Sequence, residues 1–175
     1  MLLSKVKEYF AARGLSERIT ILAPSDDPCV SAAQIPACRE AQIVRIFTLS
    51  FPSAAPIRIL TGFDRKADSE KCKARLFGDS PLQEPFTIAE SPAFCPFPLS
   101  GKTNDRIYLD SSLLRFETVY VLFKQEQGEP KEAAVIALTP FELELYTGAV
   151  EWADICVPSS RDDGTGKEAF PTKIR

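Results

Sequence analysis

The sequence predicts a single α+β domain, a curved mixed or antiparallel sheet flanked by short helices. Three observations predict it. Hydrophobic residues make up 45% of the 175 positions, enough to bury one core at this length. Segments of helical and strand character follow one another without the regular βα alternation of a parallel sheet. Twelve Phe and fourteen Pro point to strands broken by many turns and not to a helical bundle.

Each element has a local cause. Leu2, Val6 and Phe10 recur at helical spacing and Gly14 follows, which predicts an amphipathic helix closed by a glycine. Residues 18–23 (RITILA) read as a short strand. Ser25-Asp26-Asp27-Pro28 supplies an N-cap and a proline at the first helical position. The helix that follows runs through Val30 and Ala33 until Pro36 interrupts it. Residues 42–50 (QIVRIFTLS) alternate and are rich in β-branched and aromatic side chains, so they form a strand. A turn bounded by Pro52 and Pro56 leads to a second strand ending at Gly62.

Asp68 caps a third helix that Gly78 ends. Residues 106–110, 118–124 and 132–138 are strands, the last two joined by a turn at Gly128-Glu129-Pro130. Thr139-Pro140-Phe141-Glu142 is a capping box that opens a short helix stopped by Gly148. Residues 152–157 are a last strand. The domain is expected to span 1–158, and the polar, aperiodic residues 159–175 to form a mobile tail.

Composition narrows the chemistry. The chain has no histidine, which removes Ser-His-Asp and Cys-His catalysis and His-ligated metal sites. Any catalysis rests on carboxylates, lysine, arginine, backbone dipoles or the substrate itself. Five widely spaced cysteines without a CxxC pair fit neither a disulfide scaffold nor structural zinc, and suit a reducing cytoplasm. No apolar run approaches the length of a membrane span, and the first residues do not read as a secretory signal. A net charge of −3 argues against nonspecific coating of nucleic acid but leaves room for a local basic face.

The stretch from Ser91 to Tyr120 is the most distinctive. It opens with a proline-punctuated aromatic loop, Pro92-Ala93-Phe94-Cys95-Pro96-Phe97-Pro98, that can be neither helix nor central strand. Stiff backbone of this kind, set between strands, suits the wall of a ligand pocket. Around it lie Ser31-Ala32-Ala33, Gln42-Ile43-Val44-Arg45-Ile46-Phe47, then Gly62, Arg65, Asp68 and Lys71. Leu109-Asp110, Ser112-Leu113, Thr139-Pro140 with Glu142-Leu143, and Trp152-Ala153-Asp154-Ile155 complete the series. In this order the pieces resemble the YbaK/prolyl-tRNA-editing domain family, over most of residues 2–157.

The resemblance implies an aminoacyl-tRNA editing hydrolase that deacylates mischarged tRNA, with tRNA for proline the leading substrate. The enzyme would act in trans or as a synthetase-linked domain, in the cytoplasm and without a cofactor or metal. Its partners would be the aminoacylated acceptor end of a tRNA and an aminoacyl-tRNA synthetase. Such chemistry uses backbone N–H donors of the loop to polarise the ester carbonyl, with substrate hydroxyl and amine assisting water. The resemblance places Arg45 and Asp110 at the catalytic positions. It places Cys29, Gly62, Pro92, Ala93, Phe94, Cys95, Pro96 and Phe97 around the aminoacyl group.

The residues themselves leave alternatives open. Arg45 reads as a phosphate or carboxylate clamp, or as an outward charge on a half-exposed strand. Arg65, Lys66, Lys71 and Arg75, with Arg58 and Lys73 nearby, read as a landing face for tRNA phosphates or as a solvated helix face. Asp110 orients water or satisfies turn N–H groups. Ser111 and Ser112 are turn residues, since nothing activates them. Cys95 reads as a reactive thiol or as packing, and Phe94 and Phe97 as base-stacking platforms or as core and pocket wall. Arg45 stands where the family has lysine, and Pro92-Ala93 where it has glycines. A catalytically silent module that binds tRNA or a nucleotide without turnover is therefore the alternative function.

Overall fold

A computed structural model describes residues 2–25, 27–78, 85–92, 94–99, 105–125 and 132–159. The helices are α1 (Leu2–Ala11), α2 (Pro28–Ala33), α3 (Ser69–Leu76) and α4 (Pro140–Thr147). The strands are β1 (Ile19–Leu22), β2 (Val44–Ser50), β3 (Ile57–Gly62), β4 (Arg65–Ala67) and β5 (Thr87–Glu90), followed by β6 (Arg106–Asp110), β7 (Val119–Gln125), β8 (Glu132–Leu138), β9 (Glu151–Ala153) and β10 (Cys156–Pro158). The α+β class stands, with the strands parted into three sheets.

The central sheet has the order β5-β2-β3-β6-β9. Strand β2 is antiparallel to β3 and β5, whereas β3-β6 and β6-β9 are parallel, so the sheet is mixed. A second, antiparallel sheet runs β1-β8-β7, and β10 pairs with β4 in a two-stranded ribbon. A bridge between Ile43 and Tyr120 links the two larger sheets.

Alternation along β2, β3 and β6 divides the central sheet into two faces. Val44, Ile46, Leu60, Ile107 and Leu109 point to one face, where Leu3, Val6 and Phe10 of α1 and the β7-β8 hairpin cover them. Phe47, Leu49, Ile57, Ile59 and Tyr108 point to the other, against Cys72 of α3, Ile155 and Cys156. Both faces are buried, which explains why β2 reads as a nearly continuous apolar run.

The caps follow the expected chemistry. The Asp68 side chain accepts from the Lys71 N–H, and Thr139 and Glu142 form the reciprocal capping box with Pro140 at N1. Gly148 adopts φ 70° and closes α4. Gly62 has a different role: a Cβ there would sit 2.6 Å from the Ala41 carbonyl oxygen.

The structure adds three elements to the sequence reading. Strands β4 and β5 were unexpected, and the last strand is split into β9 and β10. The split falls where Ile155 and Cys156 turn their N–H groups onto Asp110. The expected turn at 128–130 and the tail from 160 onward lie outside the described residues.

Candidate functional site

The proline-rich loop leaves β5 at the sheet edge. Ser91 N–H donates to the Ile46 carbonyl, which seats the loop's stem beside the Arg45 position on β2. Phe94 N–H then donates to the Ser91 carbonyl, so the chain turns sharply at Pro92 and folds onto the α1 face. Phe97 is 3% exposed and meets the Phe10 ring edge-on at 4.8 Å, with Tyr9 and Phe123 also in ring contact. Phe97 and buried Pro96 therefore anchor the loop in the core, while Phe94 and Cys95 are half-buried and Pro92 is exposed. Burial raises the Cys95 thiol pKa, with a backbone hydrogen bond from Phe97 opposing it, which keeps the sulfur a poor nucleophile. Ala93 and the side chain of Cys29 lie outside the described residues.

Arg45 does not point at the body of this loop. It leaves β2 on the α3 face, the side opposite Phe94. Its Nε and Nη2 donate to the two carboxylate oxygens of Glu90 at 2.8 and 3.2 Å. Its Nη1 reaches the carbonyls of Phe63 and Arg65, and the guanidinium lies 4.9 Å from both the Phe47 and Phe63 rings. The expectation of a clamp facing the pocket under the prolines is corrected on this point, because strand alternation sends residue 45 the other way. Arg45 and the loop are joined through Glu90, the residue before Ser91.

Asp110 is likewise not placed to handle water. It is 1% exposed. Oδ2 accepts from Thr61 Oγ1, the Ser112 N–H and the Ser112 hydroxyl, and Oδ1 accepts from the N–H groups of Ile155 and Cys156. Five donors satisfy this buried carboxylate, so it ties β3, the turn after β6 and the 155–156 segment into one frame. Gly62 ends β3 close against the Ala41 carbonyl, whose oxygen leaves no room for a Cβ.

The basic residues do gather. Lys71 Nζ donates to Asp154 Oδ1 at 2.9 Å and to the Cys156 carbonyl at 3.1 Å, and Arg75 lies 3.8 Å from Asp154 Oδ2. The hydrogen bond from Lys71 holds the Asp154 carboxyl below the ordinary carboxylate range, with the charges of Lys71, Arg75 and Arg65 adding to it. The buried Nε of Arg65 has no hydrogen-bond acceptor among the described residues. Lys66, between Arg65 and Ala67 on β4, is exposed. Arg45, Arg65, Lys71 and Arg75 thus outnumber Glu90 and Asp154, the carboxylates that face them.

One member of the basic set parts from the rest. Arg58 leaves β3 on the α1 face and lies beneath the loop. Its Nη1 donates to Thr48 Oγ1 at 2.6 Å, its Nε to Asp105 Oδ2 at 3.0 Å, and its guanidinium stacks 4.1 Å from the Phe94 ring. Thr48 in turn shares a 2.6 Å hydrogen bond with Ser91 Oγ. The polar Thr48 and Arg58 within buried apolar strands were the available signal for this network. No residues of the described part form a cluster suited to a metal ion. A groove of about 410 Å³ between α1 and β1, lined by Lys7, Glu8, Ala11, Ser16, Ile19 and Ile21, shares no residue with the expected site. No helix among the described residues is long and apolar enough to cross a membrane.

No family model matches the sequence. The chain is 26% identical over 162 residues to the uncharacterized protein YwhH of Bacillus subtilis (strain 168), covering 89% of this chain and 98% of that protein. Among solved structures, the hypothetical protein APE2540 superposes with a TM-score of 0.63 at 24% identity, covering 87% of this chain and 99% of that one. A protein provisionally described as a trans-editing enzyme for prolyl tRNA synthetase superposes with a TM-score of 0.60 at 24% identity, covering 87% of this chain and 94% of that one. The chain therefore shares the fold of these proteins, the YbaK-like α+β domain that its motifs resemble.

Proposed function

We propose that this protein is an aminoacyl-tRNA editing hydrolase that removes a wrong amino acid from tRNA, with tRNA for proline the first substrate to test. The observation that carries the reading is a basic face that meets the stem of a stiff loop at Glu90, the carboxylate paired with Arg45 and the residue before Ser91. Arg45, Arg65, Lys71 and Arg75 supply cationic donors for the phosphates of an acceptor end. The loop from Ser91 to Phe97 starts beside Arg45 and is the segment that holds the aminoacyl group. The likeness in fold to a protein described as a trans-editing enzyme supports the same reading.

The chemistry asked of the chain is modest. Loop N–H groups polarise the ester carbonyl as negative charge develops on its oxygen, and the substrate's own ribose hydroxyl and amine assist the attacking water. Asp110 takes part only by holding the frame on which the basic face is mounted. Arg45 contacts a phosphate once Glu90 yields its place. Incubation with tRNA for proline charged with Ala, Cys or Ser tests the proposal. Release of amino acid above the buffer rate supports it, and no release with any of the three overturns it.

A second reading has its own observation. All three nitrogens of the Arg45 guanidinium are already bonded to Glu90 or to main-chain carbonyls. A module built this way binds tRNA or a nucleotide through the surrounding cations without turnover. Salt-dependent tRNA binding with no hydrolysis, and no gain in Arg45→Lys, would favour it.

A further inference from the structure

We infer that Arg58 is a positioning residue that sets the shape of the 91–97 loop, supplying from the sheet the order that a proline-rich loop does not provide through its own hydrogen bonds. The inference rests on the proposed role of that loop but gives Arg58 a part distinct from the landing face for tRNA phosphates.

The loop has two anchors of opposite kind. At its far end Phe97 is held by burial among Phe10, Tyr9 and Phe123. At its near end nothing comparable is available: Pro92 is exposed and Phe94 only half-buried. Pro92 removes a backbone donor here, and the Ser91 N–H bond to the Ile46 carbonyl is the main-chain tie of this end to the sheet among the described residues. Arg58 fills the gap. One planar guanidinium stacks on the Phe94 ring and donates to Thr48, whose hydroxyl bonds Ser91 at the start of the turn. The same group donates to Asp105, where the chain re-enters β6.

Three points of the 91–105 excursion thus converge on one side chain. Thr48 is 8% exposed, and the side chains of Arg58 and Asp105 are 19% and 17% exposed, so the contacts are shielded from solvent and count for more than a surface pair. The geometry requires arginine. A lysine ammonium could neutralise Asp105 but could not stack flat on Phe94 while donating sideways to Thr48.

The test compares Arg58→Lys, Phe94→Leu and their double variant on the full-length protein. Amide hydrogen exchange at Phe94, Cys95 and Phe97 is the first readout. In Arg58→Lys it should accelerate by about tenfold or more, while exchange in β7 and β8 is unchanged. The second readout is the cycle: once Phe94 is leucine, Arg58→Lys should add less than it does alone, because the stacking contact the two share is already lost. With a deacylation assay in hand, Arg58→Lys should lower kcat by about tenfold with KM retained, a split that general loss of folded protein does not produce. Unchanged loop exchange in Arg58→Lys, or strictly additive effects in the cycle, overturns the inference. If the wild type releases no amino acid, the proposed function fails, yet the exchange cycle still decides the role of Arg58.

Discussion

Arg45 and Arg58 sit on adjacent antiparallel strands of one sheet, and each has a guanidinium stacked on aromatic rings and paired with a carboxylate. Their surroundings nevertheless differ in kind. Arg45 pairs with Glu90 on the face where Lys71, Arg75 and Arg65 gather around Asp154. Arg58 is enclosed under the loop with a threonine, a serine and an aspartate as its polar neighbours. The two side chains are buried alike, 17% and 19% exposed, so their neighbours alone tell them apart. Alternation along the strand does the sorting, because residues 45 and 58 fall on opposite sides of the sheet.

Five substitutions break or sharpen this contrast. The largest effect is expected at the frame behind the α3 face. Asp110→Asn places an NH2 group among N–H donors and should cost about 3 kcal/mol, read by urea denaturation. A change below about 1 kcal/mol would show that the frame does not depend on that carboxylate. Next is Gly62→Ala, whose Cβ would lie 2.6 Å from a main-chain oxygen that no side-chain rotation can move. A loss of about 1–3 kcal/mol is expected by the same measurement.

Arg45→Met tests the contrast directly. Removing the bidentate pair with Glu90 should cost about 1–2 kcal/mol and reduce the salt slope of tRNA binding by about one. Arg58→Met should leave that slope unchanged. Equal slopes for the two variants would erase the distinction between the faces. The smallest effect is expected at Arg18, whose half-exposed pair with Glu142 lies on neither face. The hydrogen bond from Arg18 lowers the Glu142 pKa from 4.5, so the pair contributes stability above about that pH and loses it as pH falls through the lowered value. Arg18→Met should cost under about 1 kcal/mol at neutral pH and flatten the acid limb of a stability-pH curve.

Much of the fold was legible because its signals are local. Caps at Asp68 and Thr139, glycines at 14, 78 and 148, and the alternation of residues 42–50 each act within a few positions. Strands β4 and β5 were not legible: at three and four residues they are too short to show a period, and they exist because a partner strand is present. The geometry around the expected site residues was not legible. Lys71 and Arg75 share a helix face in the sequence, and both reach Asp154. Arg45 and the loop were expected to face each other, yet only the fold fixes which side of the sheet the loop covers. Asp110 ends a strand, and five donors from three separate segments could not be read from one position.

The buried sulfurs behind that carboxylate have a practical consequence. Cys72 and Cys156 are fully enclosed on the α3 face, and burial pushes the Cys72 thiol up to about 12 and Cys156 higher still. At neutral pH neither presents a thiolate to an alkylating reagent while the helix stays docked. Their labelling rate is therefore a built-in clock for the undocking of α3, readable by mass without any added probe.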